Sequence, residues 1–158
     1  MYLKTKIIYE TQFGGDHPDY SVSLNNLAIL YETIGNYVEA EKLYLKAEQI
    51  DKAVLGTHPD FATTIFNLAA FYEITGHYPK AEELFLQARK IIYNAHLEET
   101  HPGYVGSIHH LAWLHAVMGR YSQSEKLYLQ AIAIKKSRFR ENNTQYASLL
   151  NDLALLYE

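Results

Sequence analysis

The chain has no cysteine among its 158 residues. That absence removes disulfide staples, thiolate metal sites and thiol nucleophiles together. No run of 18 apolar residues occurs and no basic segment followed by an apolar core opens the chain, so neither a spanning helix nor a secretory leader is expected, and the expected location is cytoplasmic. Charge of one sign is scarce as well: 14 Lys and Arg against 18 Asp and Glu leave a net charge of -4. Without a broad basic field, sequence-independent nucleic acid binding is not expected, nor is a membrane partner. The one basic cluster, Lys135, Lys136, Arg138 and Arg140, falls at an expected helix end, where cations complement the last carbonyls; a phosphate or lipid contact is the other reading. Catalytic signatures are missing too, with no Gly-rich phosphate loop, no His-Glu-x-x-His and no Gly-x-Ser-x-Gly. His109, His110 and His115 are the one local concentration of imidazoles. Their offsets place no two imidazoles in the i, i+4 relation of a helical zinc pair. The chain is therefore expected to be no enzyme, with no catalytic residue, metal site or cofactor.

What is present is repetition. Leu24, Leu27, Ala28, Tyr31 and Gly35 recur as Ile65, Leu68, Ala69, Tyr72 and Gly76, and again as Ile108, Leu111, Ala112, His115 and Gly119; a fourth copy begins at Leu150, Leu153, Ala154 and Tyr157. Measured on Leu27, Leu68, Leu111 and Leu153, successive copies stand 41, 43 and 42 residues apart. Such a period belongs to a stacked repeat protein, in which each unit buries its apolar face only against its neighbours.

Within a unit the apolar spacing is that of an amphipathic helix, here helix A. The glycine breaks it, and Tyr37 opens a second run, helix B, through Ala40, Leu43, Tyr44, Ala47 and Ile50. So short a link makes the pair an antiparallel hairpin, and the fold class is all-α. Ala28, Ala40 and Ala47 recur as Ala69, Ala81 and Ala88 and as Ala112, Ser124 and Ala131, small residues that let backbones approach closely. Each His-Pro, at His17-Pro18, His58-Pro59 and His101-Pro102, marks the start of a helix A, because proline is tolerated in a first helical turn and nowhere deeper. The three histidines suit capping or turn packing better than a shared metal, since a repeat width separates them. In this phase residues 1–13 are a helix B without its partner, 17–56, 58–99 and 101–142 are three units, and 143–158 are a helix A without its helix B. Ile7 and Ile8 at one end, and Leu149, Leu153 and Leu156 at the other, are then expected to be exposed and to allow head-to-tail stacking of molecules.

Of 14 tyrosines, twelve fall on four repeat positions: Tyr20, Tyr104 and Tyr146; Tyr31, Tyr72 and Tyr157; Tyr37, Tyr78 and Tyr121; Tyr2, Tyr44 and Tyr128. Periodic aromatics of this kind are expected to be core, with hydroxyls reaching the rim.

The set Leu-x-x-Leu-Ala-x-x-Tyr-x-x-x-Gly-x-Tyr-x-x-Ala-x-x-x-Tyr/Phe-x-x-Ala resembles the tetratricopeptide repeat in its longer form. The preceding His-Pro-Asp-Tyr/Phe and the segment Leu27-Ala28-x-x-Tyr31 resemble in particular the kinesin light chain and its bacterial relatives. His115 and Ser124 depart from that pattern, which makes the third unit the least regular. The resemblance implies a right-handed α-α superhelical solenoid whose helices A line a concave groove, and a role in protein binding rather than in one fixed function. The helix A side not used by the core stripe carries its own row: Val22, Asn25 and Ile29; Thr63, Phe66 and Ala70; Gly106, His109 and Trp113; Ser148, Asn151 and Leu155, with Asn26, Asn67, His110 and Asp152 beside it. The expected peptide-binding groove is thus Asn25, Asn26, Ile29, Phe66, Asn67, His109, His110, Trp113, Asn151 and Asp152. Trp113 would be its anchor, and the amides would hold an extended backbone. Asn26 and Asn67 match the position at which relatives place a peptide-holding asparagine. Phe66 and Trp113 also fit an inter-repeat core. Helices A carry Glu32 and Glu73 but no Lys or Arg before Arg120, so a carboxylate clamp is not expected, and the partner should be neutral to basic and apolar. The other function considered is a spacer or head-to-tail self-assembling segment of a larger repeat protein.

Overall fold

The computed structural model describes residues 17–97, 101–138 and 144–158. They form seven α-helices and, among the described residues, no strand: α1 (Pro18–Thr33), α2 (Tyr37–Val54), α3 (Pro59–Ile74), α4 (Tyr78–Asn94), α5 (Pro102–Val117), α6 (Tyr121–Arg138) and α7 (Thr144–Leu156). The chain divides into two compact units, Met1–Leu84 and Phe85–Glu158.

Local chemistry sets the helix boundaries. At α1, α3 and α5 the proline occupies the first turn and the histidine before it is the N-cap, its ring accepting an N–H from Asp19, Asp60 or Gly103. The Nδ1 distances are 3.2, 3.3 and 3.1 Å. The carboxylates of Asp19 and Asp60 also lie 3.6 and 3.4 Å from those Nδ1 atoms. The backbone N–H bond to the ring is the capping interaction, as a side chain before the first helical turn commonly supplies. At the other end Gly35, Gly76 and Gly119 take φ of 77°, 78° and 74°. A Cβ there would meet nothing within 4 Å, so the left-handed backbone, not space, selects glycine. The N–H of Asn36 donates to the Tyr31 carbonyl at 2.8 Å and that of Gly35 to Glu32 at 2.9 Å, a Schellman closure that satisfies carbonyls a helix end would orphan. Tyr72 and His115 close α3 and α5 the same way, with His77 and Arg120 as donors at 2.8 and 2.7 Å.

In the first unit Tyr20, Leu24 and Leu27 of α1, Leu43, Tyr44 and Ile50 of α2, and Phe61, Ile65, Leu68 and Tyr72 of α3 are buried. In the second, Val105, Ile108, Ala112, Tyr128, Ala131, Leu149 and Leu153 make one core. The small positions Ala28, Ala40, Ala47, Ala69 and Ala112 are wholly buried. Ser124, the departure among them, is equally buried because its Oγ donates to the Ala112 carbonyl at 2.7 Å. A hydroxyl there occupies little more space than a methyl group and is fully bonded.

Two expectations are corrected. Leu149 and Leu153 are not exposed: together with the partly buried Leu156 they pack onto α5 and α6, since this i, i+4, i+7 stripe is the face α7 turns to its neighbours. Leu150 and Leu155 are the exposed leucines of that helix; Ile7 and Ile8 lie outside the described residues. Nor are all periodic tyrosines core, as Tyr37, Tyr121 and Tyr157 are 46%, 63% and 64% exposed. Tyr37 and Tyr121 stand at the first residue of their helices, where no preceding turn covers them. Tyr157 follows the last residue of α7 and donates to Glu125 at 2.5 Å. Tyr2 and Arg140 lie outside the described residues, and Lys135 donates to Gln145 at 2.6 Å.

Candidate binding surface

In the first unit, α1 and α3 present the helix A row beside the C-terminal turns of α2. Val22 and Ile29 are exposed, as are Asn26 and Thr63, while Phe66 and Asn67 are half-buried. Asn25, Asn26 and Asn67 converge on a cleft of about 370 Å³ whose other walls include Asp19, Val22, Asp60 and Thr63. Its floor is polar. Asp51, only 2% exposed, accepts hydrogen bonds from Ser21 Oγ and from Thr64 Oγ1 at 2.5 Å. Thr64 Oγ1 in turn accepts from Asn25 Nδ2 at 3.1 Å. Asn25 is therefore a buried member of a network, and its Oδ1 is buried with no hydrogen-bond partner. The row of apolar and amide residues had not indicated Ser21, Asp51 or Thr64. The signal was available along the repeat: the positions 41 residues after Ser21 and Asp51 are Ala62 and Ile92, both buried and apolar.

In the second unit a cleft of about 470 Å³ is lined by Trp113, Tyr121, Tyr128, Asp152, Leu155 and Glu158, among others. Trp113 is 37% exposed, so it belongs to the wall. His109 Nε2 stands 2.6 Å from Asp152 Oδ2, which ties α5 to α7. His110 stacks on Phe85 with centroids 4.8 Å apart and planes 15° from parallel. These two imidazoles are engaged in packing, while Asn151 is exposed. Among the described residues no set of three His, Asp or Glu is arranged to hold a metal ion, and no helix is long and apolar enough to cross a membrane.

Glu32 and Glu41 serve the tyrosine rim. The Tyr44 hydroxyl donates to Glu32 at 2.9 Å, and burial, then the Glu32 carboxylate, push that phenol far above its usual range. The Tyr72 hydroxyl donates to Glu41 at 2.8 Å and receives Lys80 Nζ at 3.0 Å, with the ammonium 4.3 Å from the ring centroid. Burial raises Tyr72 as well, against the opposing pull of Lys80. These bonds fasten helix to helix on the side of the hairpins.

A protein of Podosopora anserina, described as a kinesin light chain with nearly identical TPR-like repeats, is similar in structure with a TM-score of 0.83 and 25% identity, over 99% of this chain and 74% of that one. BtubC (BKLC) from P. vanneervenii gives a TM-score of 0.79 at 24% identity, over 97% of this chain and 59% of that chain. The Sgt2 TPR domain from Aspergillus fumigatus shares the fold alone, with a TM-score of 0.59 at 18% identity over 87% of this chain and 76% of that one. No curated protein sequence gives a significant match. The tetratricopeptide repeat pattern matches residues 1–53, 34–93 and 60–137. With its capped hairpins and buried small residues, the chain belongs to the tetratricopeptide repeat family, as an α solenoid of the kinesin-light-chain-like kind.

Proposed function

We propose that this chain is a non-catalytic interaction module that holds a peptide or helix of a partner protein on its helix A faces. It needs no cofactor and acts in the cytoplasm, where a cysteine-free chain forgoes nothing by lacking disulfides. The observation that carries the reading is the 470 Å³ cleft beside a 37% exposed Trp113, a concave site with an aromatic wall, two leucines and the carboxylates of Asp152 and Glu158. Clefts of this size with a few placed polar groups are where ligands seat, and a large rigid aromatic makes an effective anchor. The carboxylates favour a neutral to basic, apolar segment over nucleic acid or an anionic surface.

The test is selection from an unbiased peptide library against the wild-type chain and against Asn67→Ala plus Trp113→Ala. An enriched motif that the variant loses is expected. Equal, featureless retention by both would refute groove binding. Trp113 is the sole tryptophan, so its emission should shift on titration with a selected peptide. A second reading, a spacer that self-associates through α7, is favoured by the exposure of Leu150, Leu155 and Tyr157. Sedimentation decides it: a mass that rises with concentration supports self-association, and a monomer throughout rejects it.

A further inference from the structure

The cleft of the first unit contains a buried carboxylate, Asp51. A carboxylate removed from water is expensive unless bonded and compensated. Asp51 is buried at a position where the next repeat has Ile92, and its partner Ser21 where that repeat has Ala62. Each of the two positions thus has a buried, apolar counterpart one repeat later. Among the cleft's lining residues Asp19, Asp51 and Asp60 are acidic and none is Lys or Arg. The carboxylate of Asp51 takes two hydroxyl donors, which leaves acceptor capacity on its oxygens. Independently, Asn25, a lining residue only 6% exposed, keeps a carbonyl oxygen that no donor meets. Buried acceptors are normally satisfied, and each orphan calls for an explanation.

We infer that this cleft receives an arginine side chain from the bound partner. A guanidinium offers five donors in a planar fork, suited to several acceptors spread around one site, whereas an ammonium is a compact point charge. Asn25 and Asp51 are buried among the residues that line the cleft, and Asp19 and Asp60 are exposed ones. The volume of about 370 Å³ lies within the range of small-ligand sites. This inference rests on the groove reading and specifies part of its partner: a segment with an arginine in register with the first unit.

The experiment is a titration of the full chain with N-acetyl-arginine N-methylamide, followed by amide cross-peaks in nuclear magnetic resonance. The blocked probe presents the side chain as it stands within a peptide. Saturable shifts at the Asn25 side-chain amide and at the Ser21 and Thr64 backbone amides are expected. The citrulline analogue, of the same shape without charge, should leave them still. Asp19→Asn plus Asp60→Asn, on exposed residues that leave the fold intact, should weaken binding roughly tenfold or more, as loss of hydrogen bonds to charged groups predicts. Ser21→Ala plus Asp51→Ile, which puts at each position the residue the next repeat carries there, should keep a folded spectrum and lose the response. Silence at Asn25, an equal response to citrulline, or equal shifts with the lysine analogue would overturn the assignment. The two readings fail separately. A silent probe with a peptide motif still selected removes the arginine site alone, while a responsive probe with no peptide selected removes the groove reading alone.

Discussion

Replacing Asp51 should reveal whether its carboxylate holds the first unit together or burdens it. In Asp51→Ala two hydroxyls lose an acceptor. Ser21 has an alternative, since its Oγ already lies 2.7 Å from the Pro18 carbonyl. Thr64 can turn its proton to a carbonyl one helical turn back, the usual recourse of a threonine inside a helix. What remains is a small cavity and the loss of one net bond to a charged group, together about 1–3 kcal/mol of destabilisation. Ser21→Ala plus Asp51→Ile acts oppositely. It removes a buried carboxylate whose cleft has no Lys or Arg among its described lining residues and fills the site with an isoleucine, as the chain itself does at Ile92, which is 1% exposed. Exchange of buried charged groups for packed apolar ones is neutral to stabilising by about 1–4 kcal/mol. For a chain of this length each kcal/mol moves the midpoint by roughly 2–4 °C, so thermal unfolding followed by circular dichroism should separate the variants: the single one lower than wild type, the double one equal or higher. Urea unfolding with unchanged slope would attribute the difference to the native state. A double variant that melts as low as Asp51→Ala would refute the reasoning. Asp51 would then be a structural keystone, and its burial would indicate nothing about a ligand.

Three further outcomes follow from the same structure. Ala40, with no exposed surface, sits in the α1–α2 hairpin, so Ala40→Leu should cost about 1–3 kcal/mol by overpacking; denaturant titration reads it, and an unchanged midpoint would show slack between the helices. Tyr44 is raised above its ordinary 10.0, so its contribution is complete below pH 10 and is lost above it as only the unfolded chain ionises. Stability should fall there with a slope of about 1.4 kcal/mol per pH unit that Tyr44→Phe removes, and stability measured between pH 9 and roughly 11.5 tests this. His96 takes φ 56° without being glycine, a strained conformation for a residue with a side chain, so His96→Gly should stabilise by about 1 kcal/mol; a lower melting temperature would show that the ring makes a compensating contact.

Helix boundaries were legible because one or two adjacent residues decide them. His17, His58 and His101 cap, the following prolines start each helix A, and Gly35, Gly76 and Gly119 supply a backbone conformation other residues resist. The pairing of helices followed from the small residues, and even Ser124 kept to the pattern by bonding a carbonyl. Exposure at the edges was not legible, because it depends on which neighbour covers a position. Tyr72 and Tyr157 occupy the same place in the repeat, yet the first is 2% exposed and the second 64%. Leu149 and Leu150 are adjacent in the chain, and only the packing of α7 on α5 and α6 decides which is buried.

The candidate site was half legible for a related reason. Val22, Asn26, Asn67 and Trp113 are visible as a row because exposure on helix A follows its period. Asp51 is invisible to that reading. It follows Ile50, the last apolar residue of its helix B stripe, and a lone carboxylate beside a stripe reads as solvent-facing. Its burial arises from Ser21 and Thr64, which come from α1 and α3 and approach α2 only once the helices have packed. Repetition offers a way past this limit. Where all copies of a position are apolar, packing explains them; where one copy carries a buried polar group that its sibling omits, the sibling offers an apolar alternative to test against it. By that criterion Ser21 and Asp51 stand apart from Ser124, whose hydroxyl is satisfied within its own hairpin. A polar group spared by packing and short of partners is a better guide to a partner's chemistry than the apolar row beside it, because apolar contact accepts many shapes and a buried carboxylate accepts few.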